Sequence, residues 1–316
     1  MDNSDTFYTI YSRFAVLSAV ITNSLLIHLI LWKSPRSLGA YKYLMIYIAV
    51  FEMLYAFDDF FLKGEVVTKG TFWLAICNPT TSLLSETLVL PALIFWMFCC
   101  GLSLGNFAVH FVFRYLVVKG NKKWTTNCGL RIFLWIGAAL TFEVAWMLCI
   151  VIFEHREPQK DAFIEKEIAR GQNTPVVYFG FSFYAENGNP SFWNLTGIFL
   201  NALLAVISFI TMAYFGLKCY KALETMTINS SKSSYLKNIQ GQLFFALVGQ
   251  TLFPVVLMHF PCALVIFGPL ISESLFCLNT EICGVILTYT ITLFPVIDPL
   301  PSLLIIKPYR KAIIGE

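Results

Sequence analysis

The groups able to carry charge chemistry in this chain stand in greasy surroundings. Asp298 lies in Leu293-Phe-Pro-Val-Ile-Asp-Pro-Leu-Pro-Ser302, flanked by Pro295 and Pro299 with Pro301 beyond. Glu52 lies in Ile48-Ala-Val-Phe-Glu-Met-Leu54, and Glu143 in Leu140-Thr-Phe-Glu-Val-Ala145. A carboxyl in hydrocarbon costs ~2.5–3.5 kcal/mol if charged, so it turns toward protein neighbours. Counted along a helix at ~1.5 Å per residue, Glu52 sits ~15 Å from the span edge near Lys42, and Asp298 ~12 Å from the edge near Ile306. Two acids at similar depth on different helices are positioned to meet if both face one point of the bundle interior. Like-charge repulsion would then keep one protonated or recruit a cation, a switch-like element biasing the two helices. The alternative is that each separately caps kinked backbone or binds water.

Other polar groups punctuate the apolar runs. Asp59 follows Glu52 by two helical turns on nearly the same face and is expected, with Asp58, in the headgroup zone. Glu143 is expected to hydrogen-bond a neighbouring helix. Asn106-Phe-Ala-Val-His-Phe-Val-Phe-Arg-Tyr115 brings Arg114 to the water interface. There it either snorkels to the headgroups or contacts a partner when helices move. Pro254 and Pro261 mark two kinks suited to a swinging helix. His259 between them falls at the height of Trp96, Met97 and Cys100, which together form either a ligand pocket wall or ordinary core packing.

These residues need helices to hold them. The 316 residues are 57% hydrophobic and 13% charged, against ~25% charged in a soluble domain. Apolar runs near the ~20 residues needed to cross hydrocarbon fall at 14–32, 43–62, 88–113, 132–153, 193–217, 243–267 and 283–306. The stretch 71–84 is shorter and contains Asn78-Pro79, so it reads as a loop. Of 22 Lys and Arg residues, 15 fall on the side of Lys119–Lys123 and Lys307–Lys311, and only 7 on the other. Positive charge stays inside, so the N-terminus is expected outside and the C-terminus inside. The expectation is an all-α membrane protein, one seven-transmembrane bundle over residues 1–316, in contact with membrane lipids.

The first 13 residues lack the basic start and cleavage site of a signal peptide, so the first span is expected to remain as an anchor. The loop from Glu154 to Phe192 is the longest, and residues 157–170 within it read as a short surface helix. Cys77, Cys277 and Cys283 are candidates for a disulfide on the outer face, while Cys99, Cys100, Cys149 and Cys262 read as buried thiols. Asn194-Leu-Thr is a glycosylation sequon at the membrane boundary, and Asn229-Ser-Ser is one on the inner side. No zinc spacing, polybasic run, P-loop or G-x-S-x-G turn is present, so no metal, cofactor, catalytic site or nucleic-acid partner is expected.

Four blocks carry a resemblance. They are Pro35-Arg-Ser-Leu-Gly-Ala-Tyr-Lys-Tyr-Leu-Met-Ile-Tyr47 leading into Phe51-Glu52, then His110-Phe-Val-Phe-Arg-Tyr115, then Gln242-Leu-Phe-Phe-Ala-Leu-Val-Gly-Gln-Thr251, and Phe294-Pro-Val-Ile-Asp-Pro-Leu-Pro301 with Tyr309-Arg310. In that order they resemble the nematode seven-transmembrane chemoreceptors of the Str superfamily. The resemblance implies a G-protein-coupled odorant receptor in the ciliary membrane of sensory neurons. It implies a small, volatile or apolar ligand and a heterotrimeric G protein as partner. Arg114-Tyr115 stands where rhodopsin-like receptors have Asp-Arg-Tyr, with Phe113 replacing the acid. Asp298-Pro299 stands where they have Asn-Pro. The expected ligand residues are His259, Trp96, Met97 and Cys100, and the expected coupling residues are Arg114, Tyr115, Glu52, Asp298 and Pro299. The other reading is a ligand-gated channel or transporter using the intramembrane acids.

Overall fold

A computed structural model describes residues 3–35, 38–125, 129–169, 176–229, 234–271 and 280–315. Backbone polar groups in hydrocarbon are satisfied only within a helix or a closed barrel, and the apolar runs accordingly fold as helices. They are α1 (Asn3–Trp32), α2 (Tyr41–Leu62), α3 (Glu86–Val118), α5 (Leu130–Phe153), α7 (Phe192–Asn229) and α8 (Ser234–Pro254) continuing into α9 (Phe260–Ile271). The last run divides into α10 (Thr280–Ile297) and α11 (Pro299–Ile305). Three short helices complete the set: α4 (Lys122–Thr125), α6 (Pro158–Ile164) and α12 (Lys307–Ile314). Among the described residues, six helical stretches are long and apolar enough to cross a membrane. The α2 helix fails that test of composition because it carries Glu52, Asp58 and Asp59.

The stretch expected as a loop at 71–84 is corrected. It holds β2 (Phe72–Cys77), paired antiparallel with β1 (Glu65–Lys69) and β3 (Val177–Ser182). Lys63 in the left-handed conformation stops α2, and Gly70 at φ +58° turns the β1–β2 hairpin. Phe72-Trp-Leu-Ala-Ile-Cys77 is β-prone but too short to span, and its partner β3 is a hundred residues away in the chain, so local pattern does not reveal the pairing. Gly180 opposite Leu74 is obligatory. It adopts φ +150°, and a Cβ there would lie 2.7 Å from the Leu74 Cα and against the Trp73 carbonyl. The sheet closes one end of the bundle. Val66 N–H donates to Thr288 Oγ1 of α10 at 2.9 Å, and Phe72 stacks on Phe163. Cys77 and Cys283 are free thiols. Cys77 donates to the Leu62 carbonyl, burial pushes its thiol up to about 11, and Cys277 lies outside the described residues.

Helix α3 runs through the centre, against α2, α5, α7, α8 and the sheet. Prolines interrupt the last two spans. After Pro254 the helix loosens into a π-turn, Val255–His259. Pro295 and Pro299 have no N–H for the carbonyls of Ile291 and Pro295. Side chains from other helices take over. Tyr55 of α2 donates to the Ile291 carbonyl at 3.4 Å, and Asn23 of α1 donates to the Pro295 carbonyl at 2.9 Å.

Replacing Asn23 should therefore cost what an unsatisfied buried carbonyl costs, ~1–3 kcal/mol. Asn23→Leu is expected to lower the unfolding midpoint of the detergent-purified protein. Gly137→Ala, where an added Cβ meets nothing within 4 Å, should leave it unchanged or raise it by up to ~1 kcal/mol equivalent.

Candidate functional site

Beneath the sheet lies a cavity of about 150 Å³. Trp96 and Met97 of α3, Trp146 of α5 and Asn201 of α7 wall it on three sides. Met258 and His259 enter from the π-turn, and Trp73 with Phe181 roofs it from β2 and β3. Trp73 and Phe181 stack face to face, 5.5 Å apart, which gives the roof a flat aromatic surface. Thus His259, Trp96 and Met97 share one cavity. The Cys100 side chain lies outside the described residues.

Few polar atoms reach this space. His259 Nε2 lies 3.0 Å from Ser103 Oγ of α3, tying the π-turn to the central helix. Trp96 Nε1 turns away and donates to Asp59 Oδ1 at 2.7 Å. That corrects the headgroup placement of Asp59, which is buried. Its depth follows from α2 packing on α3, a contact that the α2 sequence does not display. Glu154, just past α5, also lines the cavity and is 3% exposed. Its backbone is fixed at both ends, N–H to Ile150 and carbonyl from Gly180 N–H. Asn201 Nδ2 donates to Glu154 Oε1 at 3.3 Å. Burial raises the Glu154 carboxyl to about 7, with Lys160 and then Asn201 pulling it back.

Lys160 of α6 is fully buried beside this wall. Burial lowers its basicity, and Glu157 opposes that most strongly. Its ammonium donates to the carbonyls of His155 and Gly180 and to Asn194 Oδ1. Asn194 is thus a structural ligand of Lys160, and its Nδ2 donates to Ser191 Oγ at 2.8 Å. Neither Glu154 nor Asn201 was singled out from sequence. Glu154 reads as the first residue of the longest loop, and the only signal for Asn201 is one amide inside an apolar run.

At mid-bundle Glu52 and Asp298 do come together and line one small cavity with His110 and Gln250. Gln250 Nε2 donates to Asp298 Oδ2 at 3.0 Å and its Oε1 accepts from Ser302 Oγ at 3.1 Å. Pro299 begins α11 immediately after Asp298, so the acid sits at the helix break. The space of about 10 Å³ is of single-water size. Chemically the pair can share one proton. Glu143 differs from expectation. Its carboxyl is buried against Gly105 of α3 without a hydrogen bond of normal geometry, because the glycine leaves room for the side chain but offers no side-chain donor.

The snorkelling reading of Arg114 is also corrected, since the side chain is fully buried. It donates to Gln240 O at 2.9 Å and Oε1 at 2.8 Å, and lies over the Tyr41 ring. Tyr41 continues to His110 Nδ1 at 3.2 Å. The helix continues four residues past Arg114 and α8 covers it, which apolar-run length does not convey. Tyr115 faces Phe215 of α7 instead. Arg114 therefore clasps α3 to α8 at the end opposite the sheet, with the acid pair between this clasp and the cavity.

The family model described as "Serpentine type 7TM GPCR chemoreceptor Str" matches residues 8–314. The chain is 33% identical over 309 residues to G-protein coupled receptor str-217 of Caenorhabditis elegans, covering 96% of this chain and 87% of that one. It is 26% identical over 292 residues to Serpentine receptor class r-10 of the same organism, covering 88% and 81%. Its backbone is similar to the crystal structure of squid rhodopsin, with TM-score 0.55 and 11% identity over 98% of this chain and 80% of that one. That last likeness concerns the fold alone.

Because the Asn194 amide is buried and engaged, its sequon should stay unmodified. Deglycosylation in heavy-oxygen water followed by mass spectrometry is expected to find no converted residue at position 194.

Proposed function

The chain belongs to the Str family of serpentine seven-transmembrane GPCR chemoreceptors and is a multi-pass membrane protein, and from that premise we propose that it is a receptor for a small external ligand that activates a heterotrimeric G protein. The observation that carries this reading is the aromatic cavity, whose wall includes the π-turn between α8 and α9. An occupant touches the hinge of a helix whose other end is held to Arg114 by Gln240. A ligand with different affinity for two arrangements of that helix shifts their populations.

In this reading the sheet end faces outward and the basic end inward, as the loop charge implies. The ligand residues are His259, Trp96 and Met97. Release of the Arg114–Gln240 contact opens the inner end of α8. Glu52, Asp298 and Pro299 set the pivot in the last span, and Tyr115 steadies α7. The proposed place is the plasma membrane of sensory cilia, and the proposed ligand is small enough to be volatile.

The test is a panel of small odorants applied to cells expressing the chain, with a second-messenger readout. At least one compound is expected to signal. Met258→Trp, which fills the cavity, should cut that response at least tenfold at unchanged surface level, and Arg114→Ala should remove coupling. Ion currents that persist without G protein would establish the channel reading instead.

A further inference from the structure

The cavity wall is mostly apolar, and apart from His259 and Trp73 Nε1 its polar groups gather at one place. There Glu154 and Asn201 stand side by side, both at least nine-tenths buried. Asn201 uses its Nδ2 on Glu154, and its Oδ1 has no partner. Glu154 feels the charge of Lys160 but makes no direct ion pair with it. Lys160, the nearest candidate, ion-pairs with Glu157 at 3.6 Å and directs its hydrogen bonds to three other acceptors. Among the described residues no Lys or Arg lies within ion-pairing distance of Glu154. An unpaired amide oxygen and a carboxyl whose donor is a neutral amide therefore border the cavity together. The indoles of Trp73, Trp96 and Trp146 line the same cavity. Aromatic faces attract cations, and tryptophan does so best.

We infer that the cavity selects small hydrophobic amines, with the ammonium head held by Glu154 and the Asn201 carbonyl against the tryptophan rings. This rests on the receptor reading and adds the chemical class of the ligand. The volume limits its body, since a cavity of about 150 Å³ takes a guest of benzene size. A carboxylate ligand is repelled by the charged form of Glu154. The remaining unpaired polar atom on the wall, Trp73 Nε1, is a donor and accommodates a neutral acceptor such as an ether oxygen on the same ligand.

The test uses three molecules of one shape: cyclohexylamine, cyclohexanol and methylcyclohexane. Near neutral pH the amine is protonated. The full chain in lipid nanodiscs is heated with each compound, because a ligand of the folded state raises the midpoint. Cyclohexylamine is expected to reach half its maximal stabilisation at a concentration at least tenfold below either neutral compound. Glu154→Gln should remove that advantage while leaving the neutral compounds as they were. Asn201→Leu should narrow it, and serves if Glu154→Gln does not fold. Equal stabilisation by all three on the native chain, or none by any, overturns the inference.

G-protein nucleotide exchange, read in the same discs, separates this idea from the receptor reading. Amine-selective stabilisation without exchange leaves the amine site standing and removes the receptor reading. Equal signalling by amine and neutral compounds does the reverse.

Discussion

Every backbone carbonyl freed inside a membrane bundle must find a donor from a neighbour, because water is absent. In this chain that demand falls on the last span. Pro295 and Pro299 free the carbonyls of Ile291 and Pro295, and Tyr55 and Asn23 answer them. The same two contacts pin α10 to α1 and α2, and so bring Glu52 opposite Asp298. A regular helix there would need neither Asn23 nor Tyr55. The prolines thus make the last span a helix whose register depends on its neighbours, which suits a signalling bundle.

From that pivot two asymmetric ends follow. At one, the sheet, α6 and the buried Lys160 cluster form a rigid roof over an aromatic cavity. At the other, Arg114 is desolvated and its retained contacts are with one glutamine and one tyrosine ring. A buried cation held by neutral partners, with Nε and Nη1 unpaired, is an arrangement that a carboxylate or carbonyl from outside could improve on. The hydrogen bond between His259 and Ser103 links the cavity to the central helix that carries Arg114.

Much of this was legible in the sequence. Run length showed the helices, and depth counting brought Glu52 to Asp298 because a 1.5 Å rise per residue holds well enough over two or three turns. His259, Trp96 and Met97 read at comparable height, and they line one cavity. What sequence did not show depends on long-range partners. Two short β-prone segments became strands only because they found each other across the chain. Asp59 and Arg114 looked like boundary groups because their depth is set by the helices that cover them. Glu154 and Asn201 lie in different elements, and neither alone departs from an ordinary loop acid or a stray amide.

The central claim is that occupancy of the cavity under the sheet drives the change at the Arg114 end. Cys262 lines that cavity as a free thiol and reports on it directly. The decisive measurement is the rate of Cys262 alkylation by a small membrane-permeant maleimide, followed by mass spectrometry in nanodiscs, alongside G-protein nucleotide exchange. A compound that accelerates exchange should slow Cys262 alkylation at least tenfold over the same concentration range. Accelerated exchange with Cys262 alkylation unchanged would place the agonist elsewhere and contradict the account.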